Sequence, residues 1–264
     1  MTSHGEFAAH RRDGDDVIKI LAGRHPAGVP SVAAAQDLGI AGMITYLSTL
    51  RAAAVILPDG LEVISDRPLT VRHRWVPGPV LLDHARVDPS RFVDAVIEVA
   101  GWVRALDGTD ARVDTNLANF CLNADGVVLV DVLPPLIPSR RPEASSLFDV
   151  LFSALCFETP VILDALIGYA TRALLHAEAN LASDRRADLE RQLSPGIDHS
   201  TDVFPASWFR SRAIVALRAL NGDVEQTSVD DYFALTSVRA FRDLPEAARV
   251  DRVRQVNRLL RGES

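Results

Sequence analysis

Lysine is almost absent from this chain: of its 28 basic residues only Lys19 is a lysine, and the rest are arginine. Codon preference explains such a bias more simply than a choice made at each site, so the one exception stands out. It lies in Asp16-Val-Ile-Lys-Ile-Leu21, which alternates like a half-buried strand and offers a place for a compact ammonium rather than a planar guanidinium. An exposed lysine on an edge strand is the alternative. Cysteine is scarce as well. Cys121 and Cys156 sit in apolar text with no partner at metal-ligand spacing, so neither a disulfide framework nor a thiolate metal site is expected, and both read as small core residues of a reducing compartment. No apolar run reaches the length of a membrane span, and Met1 to Phe7 lack the basic, apolar and cleavage-site progression of a leader. The expectation is a soluble, cytoplasmic protein without a membrane partner. An excess of basic charge is also missing: 28 basic against 35 acidic residues give a net charge of −7, which speaks against a broad nucleic-acid surface. There is no evident repeat and no low-complexity tail.

What remains is 264 residues, 48% of them hydrophobic, enough for one large domain or two lobes. The most informative stretch runs from Arg112 to Val132. Phe120 to Asn123 and Val127 to Val130 are short apolar runs rich in β-formers, and Asn123-Ala-Asp-Gly126 supplies turn residues, so the segment reads as a hairpin. A hairpin returns the chain to its starting end. Asn119 before the first strand and Asp131 after the second then emerge side by side, an amide oxygen beside a carboxylate, a hard-oxygen pair suited to Mg²⁺ carrying nucleotide phosphates. Asp114 lies five residues before Asn119, on the entering loop, from where its carboxylate can accept a proton from an attacking hydroxyl. Three polar loop residues around an ordinary hairpin are the plainer alternative.

Asp-x4-Asn followed twelve residues later by Asp resembles the protein-kinase-like superfamily, and more closely its aminoglycoside and choline phosphotransferase branch. The resemblance implies an α+β, two-lobed kinase-like fold, with a reduced β-sheet lobe over residues 1–78 and a mainly helical lobe over 79–264 that carries the hairpin 112–132. It implies Asp114 as the catalytic-loop carboxylate, Asn119 and Asp131 as holders of Mg²⁺, and Lys19 as the small-lobe lysine on the phosphates of ATP or another nucleoside triphosphate. The activity implied is phosphate transfer to a hydroxyl of a small molecule. A catalytically silent nucleotide-binding or regulatory module, or a peptide or protein kinase, are the alternatives. Two departures stand in the text: Arg112-Val113 replaces the usual His-Gly or His-Arg, and Asp131-Val-Leu-Pro-Pro135 replaces the Asp-Phe-Gly type of ending.

The small lobe carries the resemblance less fully. Only eighteen residues precede Lys19, and Gly5 and Gly14 are too far apart for one phosphate-cradling loop, so two strands and a Gly-rich turn are expected to be shortened. The family's lysine is commonly paired by a Glu of the next helix, a role open here to Asp37 or the neighbouring Gln36. Pro30 to Val55 reads as largely helical, with Ser31 as cap and Gly39 and Gly42 as interruptions. Its Ala33 to Tyr46 portion also looks somewhat like a helix-turn-helix, but Ile40 to Leu50 contains no Lys or Arg for phosphate contacts. Ala54 to Leu57 and Leu61 to Ile64 around Pro58-Asp-Gly60 read as a hairpin, and Leu69 to Val76 as another strand. Trp75-Val-Pro-Gly-Pro79 then ends the ladder. In the family this is the hinge holding the adenine, which implies base contacts by the backbone of Arg74 and Val76; a plain interdomain turn is the other reading.

Asp88-Pro89 opens a helix with Phe92, Val96, Val99 and Val103 at helical spacing. Arg140 and Arg141 read either as recognition of an anionic group or as a solvated loop. Long helices are expected over 146–155, 161–181 and 205–220, with a loop at Ser194-Pro-Gly196 and one or two closing helices over 229–260 broken at Pro245, whose last apolar face is Val253, Val256, Leu259 and Leu260. Asp149, Glu158 and Asp164 are the acidic residues available to face a cationic substrate.

Overall fold

The computed structural model describes residues 2–4, 7–23, 29–195 and 203–261. The chain is α+β and divides into two compact units, Met1–Leu81 with Gly101–Pro142, and Leu82–Ala100 with Glu143–Ser264. The first unit therefore takes in both the N-terminal sheet and the segment around Asp114.

That sheet is antiparallel and, among the described residues, five-stranded: β1 (Thr2–His4), β2 (Ala8–Asp13), β3 (Asp16–Leu21), β4 (Glu62–Asp66) and β5 (Leu69–Arg74), in the order β1-β2-β3-β5-β4. Lys19's strand is thus preceded by two others, of three and six residues, so both strands are present and the sheet is small. β2 escaped notice because His10-Arg11-Arg12-Asp13 is polar; it is held by a full register to β3, from Ala8 opposite Leu21 to Asp13 opposite Asp16, across Gly14 at φ +62. Gly5 lies outside the described residues.

Alternation sorts the two central strands. Val17, Lys19 and Leu21 of β3 and Val71 and His73 of β5 are buried, while Arg72 and Arg74 are exposed on the opposite face beside Asp16 and Glu62. The expected hairpin around Pro58-Asp-Gly60 does not form. Glu62–Asp66 pairs instead with Leu69–Arg74, and the Ile56 carbonyl accepts from the Leu129 N–H at 2.9 Å, so the backbone of this apolar run finds its partner elsewhere.

Between β3 and β4 runs α1 (Val29–Ala52), continuous except at Gly39, where φ is 66 and ψ −173. Gly42 does not interrupt it, and the side chain of Ser31 lies outside the described residues. Met43, Tyr46, Leu47 and Leu50 are its buried stripe, at the spacing of a helical face. The second hairpin, β6 (Phe120–Asn123) and β7 (Gly126–Leu129), completes the unit.

The second unit is helical. α2 (Leu81–Val87) and α3 (Pro89–Ala105) begin it, with Asp88 accepting the Arg91 N–H as cap at 3.0 Å; α3 ends in the first unit. Its Phe92, Val96 and Val99 are fully buried. There follow α4 (Leu147–Phe157), α5 (Thr159–His176), α6 (Ser183–Glu190), α7 (Phe204–Leu220), α8 (Gln226–Leu235), α9 (Val238–Arg242) and α10 (Glu246–Leu260). Helices α5 and α7 approach closely at Gly168, where an added Cβ would stand 3.3 Å from the Ala213 nitrogen. Three closing helices replace the one or two expected, and Leu259 proves exposed while Val256 is buried. Gly196 of the expected loop lies outside the described residues. Among those residues no single helix is long and apolar enough to cross a membrane.

A side chain at Gly39 meets no atom within 4 Å, so its cost is backbone strain alone. Its φ and ψ fall in a region essentially reserved for glycine. Gly39→Ala is expected to lower stability by about 1–3 kcal/mol, read as a lower urea midpoint at unchanged slope; a midpoint equal to the parent's would show that the kink relaxes without strain.

Candidate functional site

The site is built on the β6–β7 hairpin, and its turn shows why this text folds so. Asn123 Oδ1 accepts the backbone N–H groups of Asp125 at 2.9 Å and Gly126 at 3.2 Å, an Asx turn, and Gly126 takes φ 137. Phe120 then faces Leu129 in register. One residue further out, the Asn119 carbonyl accepts from Val130 N at 2.8 Å and Asp131 N at 3.3 Å. Asn119 and Asp131 are therefore neighbours across the mouth of the hairpin.

The loop entering the hairpin is held by its own side chains. Asp114 Oδ1 accepts the Asn116 N–H at 3.0 Å, Asn116 Oδ1 accepts the Ala118 N–H at 3.1 Å, and Asn119 Nδ2 donates to the Asp114 carbonyl at 3.4 Å. The last contact turns the Asn119 amide so that its NH₂ is occupied and its Oδ1 remains as an acceptor for a cation. Sequence reasoning passed over Asn116. The signal was there, since Asp114-x-Asn116 places two side chains that bond backbone two residues ahead.

Lys19 reaches this site from β3. Its Nζ lies 3.3 Å from Asp131 Oδ1; the lysine side chain is 9% exposed and the aspartate 28%. Burial is steeply graded, from Lys19 through half-buried Asp131 and Asn119 to exposed Asp114. The ammonium thus meets a carboxylate of the hairpin, whereas Asp37 is exposed on α1. Gln36 is occupied elsewhere: its Oε1 accepts the Leu69 N–H at 3.1 Å and its Nε2 bonds the Asp66 carbonyl, securing the β4–β5 turn.

Three further groups surround the pair. Tyr46, 3% exposed, donates its hydroxyl to the Arg112 carbonyl at 2.9 Å; burial raises its pKa, and the charges of Asp114 and Asp131 add to the rise. His73, 3% exposed, has its pKa lowered by burial and by Lys19. The Cys121 thiol is pushed up by burial, with Lys19 opposing. Tyr46 could have been suspected from its hydroxyl on the otherwise apolar stripe of α1, because a buried phenol needs a partner. Arg112, in the place of the resembled family's usual His or first-position residue, points inward: its Nη1 donates to the carbonyls of Leu106, Thr109 and Ala111 at 2.7–2.9 Å, and its backbone N–H donates to Leu136 at 2.8 Å. The segment before Asp114 is thereby tied to the segment after Asp131.

The other expected residues fall as follows. The Arg74 N–H donates to Asp59 at 2.9 Å and its carbonyl bonds His73 Nδ1 at 2.7 Å, so both backbone groups are engaged. Val76 is buried with Cys121 and Val128, with Val80 and Val130 packed against them. Arg140 and Arg141 are exposed at a short 3₁₀ turn, Pro138–Arg140, anchored by the Ser139 hydroxyl on Asp110 at 2.6 Å. Of the acidic residues in the second unit, Asp149 accepts the Ser145 N–H at 3.0 Å and the Ser146 hydroxyl at 2.9 Å at the start of α4. Asp164, 1% exposed, is taken up by the Ser194 N–H at 2.9 Å and hydroxyl at 2.7 Å, with Arg210 at 3.6 Å. Both are spent on structure. No group of three His, Cys, Asp or Glu that could hold a metal occurs among the described residues; Asn119 and Asp131 offer one amide and one carboxylate oxygen set, which suits an Mg²⁺ that keeps water and phosphate as its other ligands.

Removing either member of the Lys19–Asp131 pair leaves its partner's charge part-buried. Asp131→Ala is expected to cost roughly 1–3 kcal/mol, less than for a fully buried pair because the aspartate is partly exposed, and Lys19→Met in the same chain should recover most of it. Additive losses in the double variant, measured by urea unfolding, would show that the two are not coupled. In comparisons with known proteins, no protein-family model matches the chain and no curated protein matches it.

Proposed function

We propose that this protein is a Mg²⁺-dependent phosphotransferase that uses ATP or another nucleoside triphosphate to phosphorylate a hydroxyl of a small molecule. The observation that carries this reading is the meeting of Lys19 and Asp131 at 3.3 Å beside Asn119. A buried ammonium, a carboxylate and an amide oxygen converge, and a second carboxylate, Asp114, stands exposed at the loop that leads to them. Phosphoryl transfer asks for such parts, since its catalysis is mainly positioning and charge neutralisation.

In this reading Lys19 neutralises phosphate charge, Asn119 Oδ1 and Asp131 hold Mg²⁺, and Asp114 receives the proton of the attacking hydroxyl. Asp114 Oδ1 accepts the Asn116 N–H, which fixes the orientation of the carboxylate on its loop. Asp131 serves both the ammonium and the metal. Held by Asn119 and Asp131, the metal would supply positive charge to offset that of the phosphates. The antiparallel sheet with α1 between the lysine strand and β4 agrees with the small lobe of the resembled superfamily.

A silent nucleotide-binding module is the second reading. It is favoured by the acidic turn Asp13-Gly-Asp-Asp16 beside the lysine strand, which repels phosphate where a Gly-rich loop would attract it. Titration calorimetry with ATP, with and without Mg²⁺, tests what the two readings share: Asp131→Ala is expected to abolish Mg²⁺-dependent binding, and equal binding by variant and parent would remove the metal assignment. Turnover separates them. Asp114→Asn is expected to slow transfer by ~10²-fold or more with little change in nucleotide affinity, whereas tight binding without transfer to any of a broad panel of hydroxylated small molecules and peptides would favour the module.

Lys19 provides a sharper test because the chain uses arginine almost everywhere else. At 9% side-chain exposure there is little room for a guanidinium, so Lys19→Arg is expected to weaken nucleotide binding nearly as much as Lys19→Met. Wild-type affinity in the arginine variant would take Lys19 out of the site.

A further inference from the structure

Tyr46 brings a hydroxyl to the buried stripe of α1, whose other members, Met43, Leu47 and Leu50, are apolar. A phenylalanine would fill the same space without having to find a partner for a buried oxygen. The hydroxyl finds the Arg112 carbonyl, 66 residues later in the chain and 2.9 Å away. Burial raises its pKa, so it keeps its proton and remains a donor to that carbonyl.

Arg112 stands at the root of the candidate site. Two residues before Asp114, it is paired with Leu136, five residues after Asp131, in an isolated antiparallel bridge. On one side of that bridge the Arg112 N–H donates to the Leu136 carbonyl at 2.8 Å. On the other, Tyr46 takes up the Arg112 carbonyl, and the Leu136 N–H acts on the same hydroxyl as a donor. The phenol therefore sits where the two arms that carry the acidic residues join, and the charges of both Asp114 and Asp131 reach it. From Asp114 onward the loop is shaped by its own side chains, whose bonds span no more than five residues. Bonds of this kind fix a shape but not its placement against Lys19 and Asp131. Placement comes from the attachment at Arg112, and α1 reaches Arg112 through Tyr46.

We propose that Tyr46 is a positioning residue for Asp114: its hydroxyl joins α1 to the Arg112–Leu136 bridge and so sets where the exposed carboxylate stands relative to Asn119 and Asp131. The inference rests on the phosphotransferase reading and adds to it a residue that touches neither nucleotide nor acceptor.

Tyr46→Phe tests it, since the ring still fills the stripe while the hydroxyl is lost. Phosphate release from Mg·ATP, with water as the acceptor, is measured in the parent, in Tyr46→Phe, in Asp114→Asn and in the double variant, each at a temperature where its urea curve shows it folded. Tyr46→Phe is expected to lower kcat by about 10–10²-fold, the scale for a misplaced catalytic group, with the KM and calorimetric Kd for Mg·ATP within about twofold of the parent's. In the double variant the tyrosine change is expected to add nothing to the loss from Asp114→Asn, because a base that is absent cannot be misplaced. Losses that multiply in the double variant, or a Tyr46→Phe protein that turns over as the parent does, overturn the role of Tyr46 and leave the phosphotransferase reading standing. Weakened Mg·ATP binding in Tyr46→Phe also overturns it, since the hydroxyl then supports the nucleotide rather than Asp114. Parent protein that binds Mg·ATP without releasing phosphate favours the silent module and removes any catalytic positioning by Tyr46, and parent protein that does not bind Mg·ATP overturns both.

Discussion

A single lysine sits in an interior strand, and its charge must be answered where little water reaches. Asp131 answers it, and the demand fixes a good deal else. The hairpin must bring Asp131 to the buried face of the sheet; the sheet must present position 19 inward and so keeps the register of β2, β3 and β5; the apolar residues Val17, Leu21 and Val71 around the ammonium keep solvent from screening the pair. An ion pair of this kind adds little net stability compared with a well-packed apolar substitute. Under the proposed function, the ammonium would exchange part of this attraction for the phosphates of a bound nucleotide.

The residues around the pair are fixed by two different kinds of contact. From Asp114 to Asn119 the bonds are local, each side chain bonding backbone within a few residues, so the loop holds its shape by itself. The longer ties come from Tyr46 and from the pairing of Arg112 with Leu136, which set that local shape against α1 and against the chain beyond Asp131. Removing charge from Arg112 would therefore act on the loop's foundation rather than on a ligand, because its guanidinium is consumed by three carbonyls.

The sequence was most readable where local chemistry decides. The β6–β7 hairpin follows from Asn123 and Gly126, and α3 from Asp88-Pro89 and its apolar spacing. It was least readable where a partner is remote. Nothing near Ala54 to Leu57 says that the Ile56 carbonyl will meet Leu129, and the polar text of β2 conceals a strand whose evidence is its neighbour. The same division runs through the candidate site. Asp114, Asn119 and Asp131 could be found because their spacing is carried on one hairpin, whereas His73, alternating correctly but among arginines, gave no sign that its imidazole would lie diagonal to Lys19. Asp164 failed as a surface acid because its partner, Ser194, comes thirty residues later.

The first unit is interrupted: the chain leaves it after Leu81 and returns at Gly101. On a ribosome, all five strands of the sheet are made well before Asp131 exists. Until then the ammonium of Lys19 has no counterion from the hairpin, and the apolar faces of Val76 and Val80 lack Cys121 and Val128. The nascent sheet is thus left with an unmatched charge and an uncovered apolar edge while α2 and most of α3 are added. Order of synthesis makes the hairpin the closing piece, so the step that completes the folding of the unit is the same step that assembles its candidate site.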